Sequence, residues 1–236
     1  MEIAKNLNDF AKTPIAKRRG IYAPLSLRQE ILSQECGEEL ISIENFFINN
    51  RRQVFLSPVW SKKDVPVMVL RKSVLEKLLK VSRGFKGKYF FKITDAYRPI
   101  SLQRKLFAQV CQEVKTENDS LSAEEIKTRA RRFVADPDLG IPPHSTGGVV
   151  DLTLVDKSGD ELDMGTKIDT LDDKVETLSD KITSKQMSNR IFLLESMEKE
   201  GFVNLASEWW HYSYGDQYWA AFYGKTTAIY NSVDLW

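Results

Sequence analysis

Alternating hydrophobic and polar positions mark three segments of the chain as strands. Residues 65–70 (VPVMVL) form a short apolar run that predicts a buried strand. KYFFKIT at 88–94 and VVDLTLVD at 149–156 alternate with the period of two that strands require. In the last segment this period places Asp151 and Thr153 on one face and two leucines on the other.

Apolar residues recur at helical spacing in the segments between and after these strands. The spacing predicts a helix over 73–80, a second that follows Pro99 with Ser101 as its cap, and a third over 187–200. Ser122 and Glu125 form a capping box for a further helix. Strands separated by helical patterns permit an α+β domain.

The remaining segments suggest how the rest of the chain is arranged. Residues 1–40 are weakly periodic and predict an N-terminal arm, while the charge-rich stretch 157–187 predicts a surface excursion that could act as a lid. The aromatic-rich last forty residues predict strands packed into the core. Because no linker is evident, we expect one domain over residues 1–236.

Composition and charge exclude several classes of partner. The chain has 34 Lys and Arg residues against 33 Asp and Glu, so no broad cationic field is available for nucleic acid or an anionic membrane. No segment has the length of apolar residues that a membrane helix needs. The first twenty residues lack the apolar stretch of a secretory signal, so we expect a cytoplasmic protein.

The two cysteines, Cys36 and Cys111, are too few and too far apart to indicate a disulfide framework or a CxxC metal site. Cys111 lies in a helical pattern. Because a free cysteine behaves as a small hydrophobic residue, we expect both thiols to be buried.

The chemistry of the chain centres on its two histidines, His144 and His211, which both lie near acidic residues. A tight turn at the glycine pair 147–148 can bring Asp151 back to the same point as His144. Imidazole and carboxylate groups bind zinc, and a hydrolytic site keeps three protein ligands and an open position for water. His144, Asp151 and His211 are therefore the candidate ligands of one zinc ion per chain.

Glu208 is the candidate general base, because a carboxylate is needed to take a proton from water and deliver it to the leaving amine. It lies three positions before His211, and a regular strand would place the two residues on opposite faces. Both can face a metal if the strand is bent or bulged, or if the segment forms one helical turn. The aromatic residues of EWWHY favour the extended form, but the pattern leaves the choice open.

Arg98, in DAYRP at 95–99, is the candidate electrophilic residue, since a fixed guanidinium can stabilise the oxyanion of a tetrahedral intermediate. Each of these features has a commoner structural explanation when it is taken alone. A lone histidine is more often hydrogen-bonded within the fold, and an arginine at such a junction is more often in an ion pair. The complete set is more specific than any member of it.

Four segments resemble the D-Ala-D-Ala dipeptidases related to the vancomycin-resistance dipeptidase, within the zinc D,D-peptidases. They are IENF at 43–46, DAYRPISLQRKLF at 95–107, PHSTGGVVDLTLVD at 143–156 and EWWHYSYGDQYWA at 208–220. The likeness covers residues 40–231.

The resemblance implies an α+β domain with a central, mainly antiparallel sheet flanked by helices. It also implies hydrolysis of the dipeptide D-Ala-D-Ala, with zinc on the three candidate ligands, Glu208 as base and Arg98 at the transition state. Asp169, in MGTKID at 164–169, matches the aspartate that helps to hold the substrate ammonium group.

Two departures from the family pattern leave the exact substrate open. Pro142 replaces a serine two residues before the metal-binding histidine, and Ile168 replaces a phenylalanine before the substrate-binding aspartate. The alternatives are a zinc D,D- or L,D-carboxypeptidase for longer peptidoglycan stem peptides, a non-catalytic peptidoglycan-peptide binder, and a cysteine hydrolase that uses Cys111. The pattern defines neither the physiological role nor the oligomeric state.

Overall fold

The computed structural model describes residues 30–131, 133–170 and 172–235. In this part of the chain the strands are β1 (Leu32–Ser33), β2 (Leu40–Ser42), β3 (Phe55–Leu56), β4 (Val69–Arg71), β5 (Phe90–Asp95), β6 (Val149–Val155), β7 (Val203–Asn204), β8 (His211–Ser213) and β9 (Thr227–Ala228). The α-helices are α1 (Ile43–Asn49), α2 (Lys72–Gly84), α3 (Ile100–Glu117), α4 (Ala123–Ala130), α5 (Ser184–Glu198) and α6 (Gln217–Phe222).

A five-stranded sheet with the order β3-β5-β6-β8-β7 forms the centre of the fold. The pairs β5–β6, β6–β8 and β7–β8 are antiparallel, and only the edge pair β3–β5 in this sheet is parallel. Two smaller ladders, the parallel pair β1–β9 and the antiparallel pair β2–β4, lie outside the sheet. The predicted α+β class with a mainly antiparallel sheet is therefore confirmed.

The two faces of β6 have different surroundings, as its alternating sequence predicts. Val150, Leu152 and Leu154 are fully buried in the main core, together with apolar side chains of α2 and α5. The predicted stripe of α2, Val74, Leu75, Leu78 and Leu79, is buried, and its first three members lie in that core. Because neighbouring residues of a strand point to opposite faces, Asp151 lies on the other side of the sheet from this core.

A bulge in β5 brings a second carboxylate to the face that carries Asp151. Ile93 pairs with Leu152, but the register then shifts, so that Asp95 rather than Thr94 pairs with Asp151. A bulge places one extra residue in a strand and re-aims the side chains that follow it. Asp95 is consequently buried beside Asp151 instead of on the opposite face.

Several local predictions differ from the structure. The strand expected over residues 65–70 is limited to β4, because Pro66 has no N–H for a ladder and Val67 is 42% exposed. The aromatic residues near the C-terminus are buried as expected, but many belong to α6 rather than to strands. Asp216 caps α6 by accepting a hydrogen bond from the N–H of Trp219, and this local capping outweighs the strand propensity of the aromatic residues.

The predicted N-terminal arm lies largely outside the described residues, which begin at residue 30. Its last part, around Glu35 and Glu38, is bound to the rest of the fold through Arg71. The capping box of Ser122 and Glu125 is present at the start of α4. None of the helices in the described ranges combines the length and apolar character needed to cross a bilayer.

Gly148, immediately before β6, is predicted to be essential for close packing at this point. A Cβ there would collide with the carbonyl oxygen of Tyr214 and lie 2.8 Å from the ring of Tyr230. We expect Gly148→Ala to lower the free energy of unfolding by about 1–3 kcal/mol, as overpacking does. Chemical denaturation monitored by fluorescence measures this change.

Gly84 provides the matched control, because a Cβ at that position would meet no atom within 4 Å. Gly84 lies at the end of α2, where alanine reduces the freedom of the unfolded chain, so Gly84→Ala should leave stability unchanged or slightly raised. Equal stability of the two alanine variants would contradict the packing argument.

Candidate metal centre

His144 lies in a short 3-10 turn, Pro143–Thr146, that leads into β6. Pro143 at its first position has the φ angle that a helical turn requires and lacks an N–H that would need a partner. The turn ends at Gly147, whose φ of +70° lies in the left-handed region and whose missing side chain leaves room for Leu40. The sequence PHSTGG therefore brings the chain sharply from His144 into the strand that carries Asp151.

Distant parts of the chain hold the carbonyl groups of this turn from behind. Val233 donates its N–H to the carbonyl of Ser145 at 3.0 Å. Arg71 donates through Nε to the carbonyl of Thr146 at 2.8 Å and through its backbone N–H to that of Gly147 at 2.9 Å. Buried carbonyl groups that have partners cost little, so this turn can be rigid without loss of stability.

Arg71 is itself buried, with only 1% of its surface exposed. Its Nη1 and Nη2 atoms each lie 2.8 Å from an oxygen of Glu35, which forms a two-point ion pair, and its guanidinium stacks on Tyr230 with 4.9 Å between Cζ and the ring centre. The planar guanidinium suits such bidentate and stacked contacts. The turn that carries His144 is thus tied to segments near both ends of the described chain.

The predicted ligands His144, Asp151 and His211 meet at the end of the β6–β8 ladder. Asp151 pairs with His211 across this ladder, which places their side chains on the same face. Nε2 of His144 lies 3.4 Å from Oδ2 of Asp151, and Nδ1 of His211 lies 3.0 Å from Oδ1. One ligand atom from each residue lies within 4.8 Å of the other two, and all three residues are buried.

Hydrogen bonding determines which nitrogen of His144 is free. Nδ1 lies 2.7 Å from the carbonyl oxygen of Ala96. Since a carbonyl oxygen can only accept, Nδ1 must carry a proton, and Nε2, which faces Asp151, is the nitrogen that has a lone pair when the imidazole is neutral. A metal-binding histidine is commonly oriented in this way by a partner on its other nitrogen.

The segment from Glu208 to His211 is neither a regular strand nor a helix. It is a tight turn, in which the N–H of His211 donates to the carbonyl of Glu208 at 3.2 Å, and β8 begins at His211 itself. The turn brings Oε2 of Glu208 to 3.6 Å from Nδ1 of His211. The alternatives left open by the sequence are therefore resolved in favour of a bend before the strand.

Asn204 on β7 holds this turn in place. Its amide nitrogen donates to the carbonyl groups of Glu208 and His211, at 3.0 Å each. Its amide oxygen accepts a hydrogen bond of 2.6 Å from the hydroxyl of Thr177. One buried side chain thus determines where both Glu208 and His211 lie.

The surroundings of these residues favour a positive charge between them. Burial alone would raise the pKa of Asp151, but His144 and His211 hold it well below its usual range. Burial alone would lower the pKa of His144, but the carboxylates of Asp151 and Asp95 raise it to about 9. Burial raises the pKa of Glu208, with Asp151 adding to the effect and His211 opposing it.

The three ligands also fit a zinc ion by geometry and chemistry. Oδ1 of Asp151 is fully buried and has Nδ1 of His211 3.0 Å away, but the two atoms do not form a hydrogen bond of normal geometry. A buried carboxylate oxygen in this state is costly unless a positive group is bound to it. Donor atoms on a tetrahedral zinc ion are separated by about 3.3 Å, given bond lengths of about 2.0–2.1 Å. The distances of 3.0 and 3.4 Å from Asp151 to the two imidazoles are close to this separation.

Arg98 lies next to this centre, as predicted. Its backbone N–H donates to the carbonyl of His144 at 3.2 Å, and its side chain forms a short ion pair with Asp95. Its guanidinium interacts electrostatically with Asp151 and Asp169, and its pKa stays above the ordinary value because Asp95 outweighs the effect of burial. A permanently charged arginine therefore borders the face that carries the candidate metal ligands.

Asp169 is placed on the same side, in the excursion that follows β6. It is one of the non-glycine residues with a left-handed backbone, at φ +58°. The residue as a whole is exposed to solvent, but neighbouring parts of the protein partly bury its carboxyl group. This burial and the nearby carboxylates of Asp151 and Asp95 raise the pKa of Asp169 to about 6. The preceding Ile168 packs against the main core and anchors this part of the excursion.

Comparisons with known proteins agree with this arrangement. A family model described as D-Ala-D-Ala dipeptidase matches residues 62–229, which is more than half of the chain. The chain belongs to the D-Ala-D-Ala dipeptidase family. As a member of this family it is a metallopeptidase, and the three buried residues that could hold a metal lie within the matched region.

Relatives in the family include two bacterial D-alanyl-D-alanine dipeptidases. The protein from Synechocystis is 31% identical over 227 residues, a match that covers 86% of this chain and 92% of the relative. The protein from Escherichia coli is 32% identical over 120 residues, covering 51% of this chain and 52% of the relative. A crystal structure of the vancomycin-resistance D,D-pentapeptidase VanY with Zn(II) covers 86% of this chain and 96% of its own, at 15% identity and a TM-score of 0.45.

Sequence reasoning missed the residues that support the centre from a distance. Arg71 and Asn204 lie outside the quoted motifs, and Gln103 lies within DAYRPISLQRKLF but was given no role there. Each of the three acts through a contact that the sequence pattern does not reveal. Their burial is a signal that only the fold provides, since arginine, glutamine and asparagine are usually exposed.

The expectation that both cysteines are buried is wrong. Cys36 is exposed and Cys111 is partly buried. Burial raises the pKa of the Cys111 thiol, whereas a nucleophilic cysteine needs a lowered pKa, so the thiol has the wrong electrostatics for a cysteine hydrolase.

Asn204→Ala is predicted to loosen the turn that holds Glu208 and His211. The substitution leaves two buried carbonyl groups with fewer partners, and we expect the free energy of unfolding to fall by about 1–3 kcal/mol. Because the turn positions two residues of the centre, kcat for hydrolysis of the family's substrate, D-Ala-D-Ala, should fall as well. Denaturation curves and steady-state kinetics measure the two effects.

Asn50 supplies the control, since its amide nitrogen donates to one helix carbonyl, that of Phe46, at 2.9 Å. Asn50→Ala removes a similar hydrogen bond outside the metal centre and should leave kcat unchanged. An Asn204→Ala variant with the kcat of the parent would show that the turn does not depend on this side chain.

Proposed function

We propose that the protein is a zinc-dependent D,D-dipeptidase that hydrolyses D-Ala-D-Ala in the cytoplasm. The observation that supports this most strongly is the convergence of His144, Asp151 and His211 on one buried face, with Glu208 3.6 Å from His211, in a chain of the D-Ala-D-Ala dipeptidase family. Each chain binds one zinc ion on those three residues. In this proposal the chain is one catalytic domain, in which residues 157–187 act as a lid.

His144, Asp151 and His211 would hold the metal through the atoms that face one another in the structure, Nε2, a carboxylate oxygen and Nδ1. Bound zinc supplies Lewis acidity, which polarises a peptide carbonyl and makes water a stronger acid. The buried surroundings and the two carboxylates, Asp151 and Asp95, favour binding of this cation over an empty site.

Glu208 is the proton carrier in this proposal. Its carboxylate accepts a proton from the attacking water and later donates it to the amine that leaves when the peptide bond breaks. The raised pKa of Glu208 helps the second transfer, because a more basic carboxylate holds the proton until the amine forms. Asn204 orients Glu208 indirectly, by holding the backbone of its turn.

Arg98 stabilises the negative charge that develops on the carbonyl oxygen of the substrate. Its buried Nε has no hydrogen-bond partner among the described residues, so a donor is available without breaking an existing contact. A charged donor that is already oriented stabilises a transition state more than one that must reorganise.

Asp169 selects a free amino terminus. Its carboxylate, on the side of the centre that carries Arg98 and Asp151, can pair with the substrate ammonium group. The departures Pro142 and Ile168 do not alter the proposed ligands. Pro142 is buried at the start of the metal-binding turn, and its carbonyl accepts hydrogen bonds from Ser145.

Glu208→Gln is the variant that tests the proposed reaction. The amide keeps the size of the side chain but cannot accept the proton, so kcat for release of D-alanine from D-Ala-D-Ala should fall on the order of 10²- to 10⁴-fold. Zinc content, measured by elemental analysis, should remain one ion per chain. The matched control is Glu195→Gln on the exposed face of α5, which should leave kcat unchanged.

The outcomes of this experiment separate the proposal from its alternatives. Hydrolysis of a pentapeptide stem but not of the dipeptide would indicate a D,D- or L,D-carboxypeptidase. Zinc binding without turnover of either substrate would indicate a non-catalytic peptide binder. A protein that binds no zinc would contradict the metal centre itself.

The raised pKa of Asp169 leads us to expect that substrate binding depends on pH. With a pKa of about 6, its carboxyl group is ionised above pH 6 and becomes neutral below it, so the KM for D-Ala-D-Ala should rise as the pH falls from 7.5 to 5. Asp169→Asn should raise KM at pH 7.5 by about tenfold or more, as the loss of a hydrogen bond to a charged group does, and should flatten the profile of KM against pH.

Two controls accompany this measurement. Asp173→Asn changes a carboxylate that is 62% exposed in the same excursion, and it should leave KM unaltered. N-acetyl-D-Ala-D-Ala, which lacks the ammonium group, should be rejected by the parent protein and rejected less by Asp169→Asn. An unchanged KM in Asp169→Asn would assign the ammonium site to another residue.

A further inference from the structure

The guanidinium of Arg98 is restrained on three sides. Nη2 forms the short ion pair with Asp95, and Nη1 donates to Oε1 of Gln103 at 2.8 Å. The ring of Trp60 covers one face, with 4.9 Å between its centre and Cζ of Arg98. Nε remains buried without a partner among the described residues. Two nitrogens are thus held by protein acceptors, and the third has no acceptor among the described residues.

Gln103 is an unusual member of this group because it is neutral and almost fully buried, with 2% of its surface exposed. Its Nε2 donates to the carbonyl oxygen of Ala135 at 2.7 Å. A carbonyl can only accept, so the amide nitrogen must face Ala135 and the amide oxygen must face Arg98. The loop that carries Ala135 therefore determines the orientation of the amide toward the guanidinium.

The helix that carries Gln103 is also fixed relative to Arg98. α3 begins two residues after Arg98, and the backbone N–H of Gln103 donates to the carbonyl of Pro99 at 3.0 Å. Leu102 and Phe107 on the same helix are buried and hold its position. Gln103 thus reaches Arg98 from a rigid first turn rather than from a loop.

A neutral acceptor has a specific advantage at this place. Asp95 already pairs with Arg98, and a second carboxylate would neutralise more of the charge that stabilises a developing oxyanion. The amide oxygen of Gln103 adds a directional contact without adding negative charge. Rotation of the guanidinium out of its present orientation must break this contact.

We propose that Gln103 is a positioning residue for catalysis, which acts by fixing the orientation of the Arg98 guanidinium. This inference depends on the role proposed for Arg98 in the hydrolysis of D-Ala-D-Ala. Gln103 does not itself touch substrate. Its effect is on the alignment of a donor at the transition state, so loss of the contact lowers kcat and leaves KM nearly unchanged.

Gln103→Met tests the proposal, because methionine keeps the length of the side chain and removes both the acceptor and the donor. We expect kcat for D-Ala-D-Ala to fall about 10- to 100-fold, as small misplacements of catalytic groups do, with KM within about twofold of the parent value. Zinc content should remain one ion per chain. An unchanged kcat, or a change confined to KM, would overturn the proposal.

Gln103→Asn is the second variant, in case the methionine variant fails to fold. Asparagine retains an amide but is one methylene shorter, so it withdraws the acceptor from Nη1 of Arg98. The same loss of kcat is expected. Val114→Ala provides the structural control, because it opens a cavity at the opposite end of the same helix without touching the guanidinium contact. It should lower Tm and leave kcat unchanged.

A double-mutant cycle separates positioning from general stability. If Gln103 acts through Arg98, Gln103→Met should lower kcat in the parent but cause no further loss in an Arg98→Lys background. Equal losses in the two backgrounds would overturn the proposal. If Arg98→Lys and Arg98→Ala both retain the parent kcat, the assigned role of Arg98 fails as well, which distinguishes that failure from a failure confined to Gln103.

Discussion

The antiparallel pairing of β6 with β8 is the interaction on which the rest of the centre depends. In this register Asp151 lies opposite His211, and both side chains point away from the apolar core. A slip of one residue would move Asp151 to the core face and separate it from His211. Val150 and Tyr212, which pair on the other face and are fully buried, stabilise the register through the hydrophobic core.

The other members of the centre are held to this ladder by buried polar contacts rather than by apolar packing. Arg71 holds the turn that carries His144, and Asn204 holds the turn that carries Glu208. Both side chains donate to carbonyl groups, so they constrain backbone position directly. This arrangement explains how residues on turns can be placed as accurately as residues on strands.

The sequence predicts the candidate metal ligands better than it predicts the structural features that position them. Two histidines in the whole chain, each near acidic residues, are enough to identify His144, Asp151 and His211 as candidates, and the structure brings them together. The alternation of apolar and polar residues in β6 predicts which of its side chains face the core. The bulge that turns Asp95 toward Asp151 has no such signal, because it depends on pairing with a strand more than fifty residues away.

Local sequence patterns also predicted the wrong structure or burial at positions that are determined by residues close in space but not in sequence. The turn from Glu208 to His211 depends on Asn204, and the helix α6 depends on the cap formed by Asp216, although aromatic residues in both segments favour strands. Cys36, expected to be buried, is exposed beside Glu35, whose carboxylate is directed to Arg71. The structure at these positions is determined by long-range contacts, which the periodicity of the sequence does not reveal.

The most direct test of this account is a crystal structure of the zinc-loaded protein, with anomalous diffraction recorded above and below the zinc absorption edge. The account predicts one anomalous peak per chain, in contact with Nε2 of His144, a carboxylate oxygen of Asp151 and Nδ1 of His211. A peak elsewhere, or a zinc ion bound through a different set of side chains, would contradict the central claim that these three residues form the metal centre.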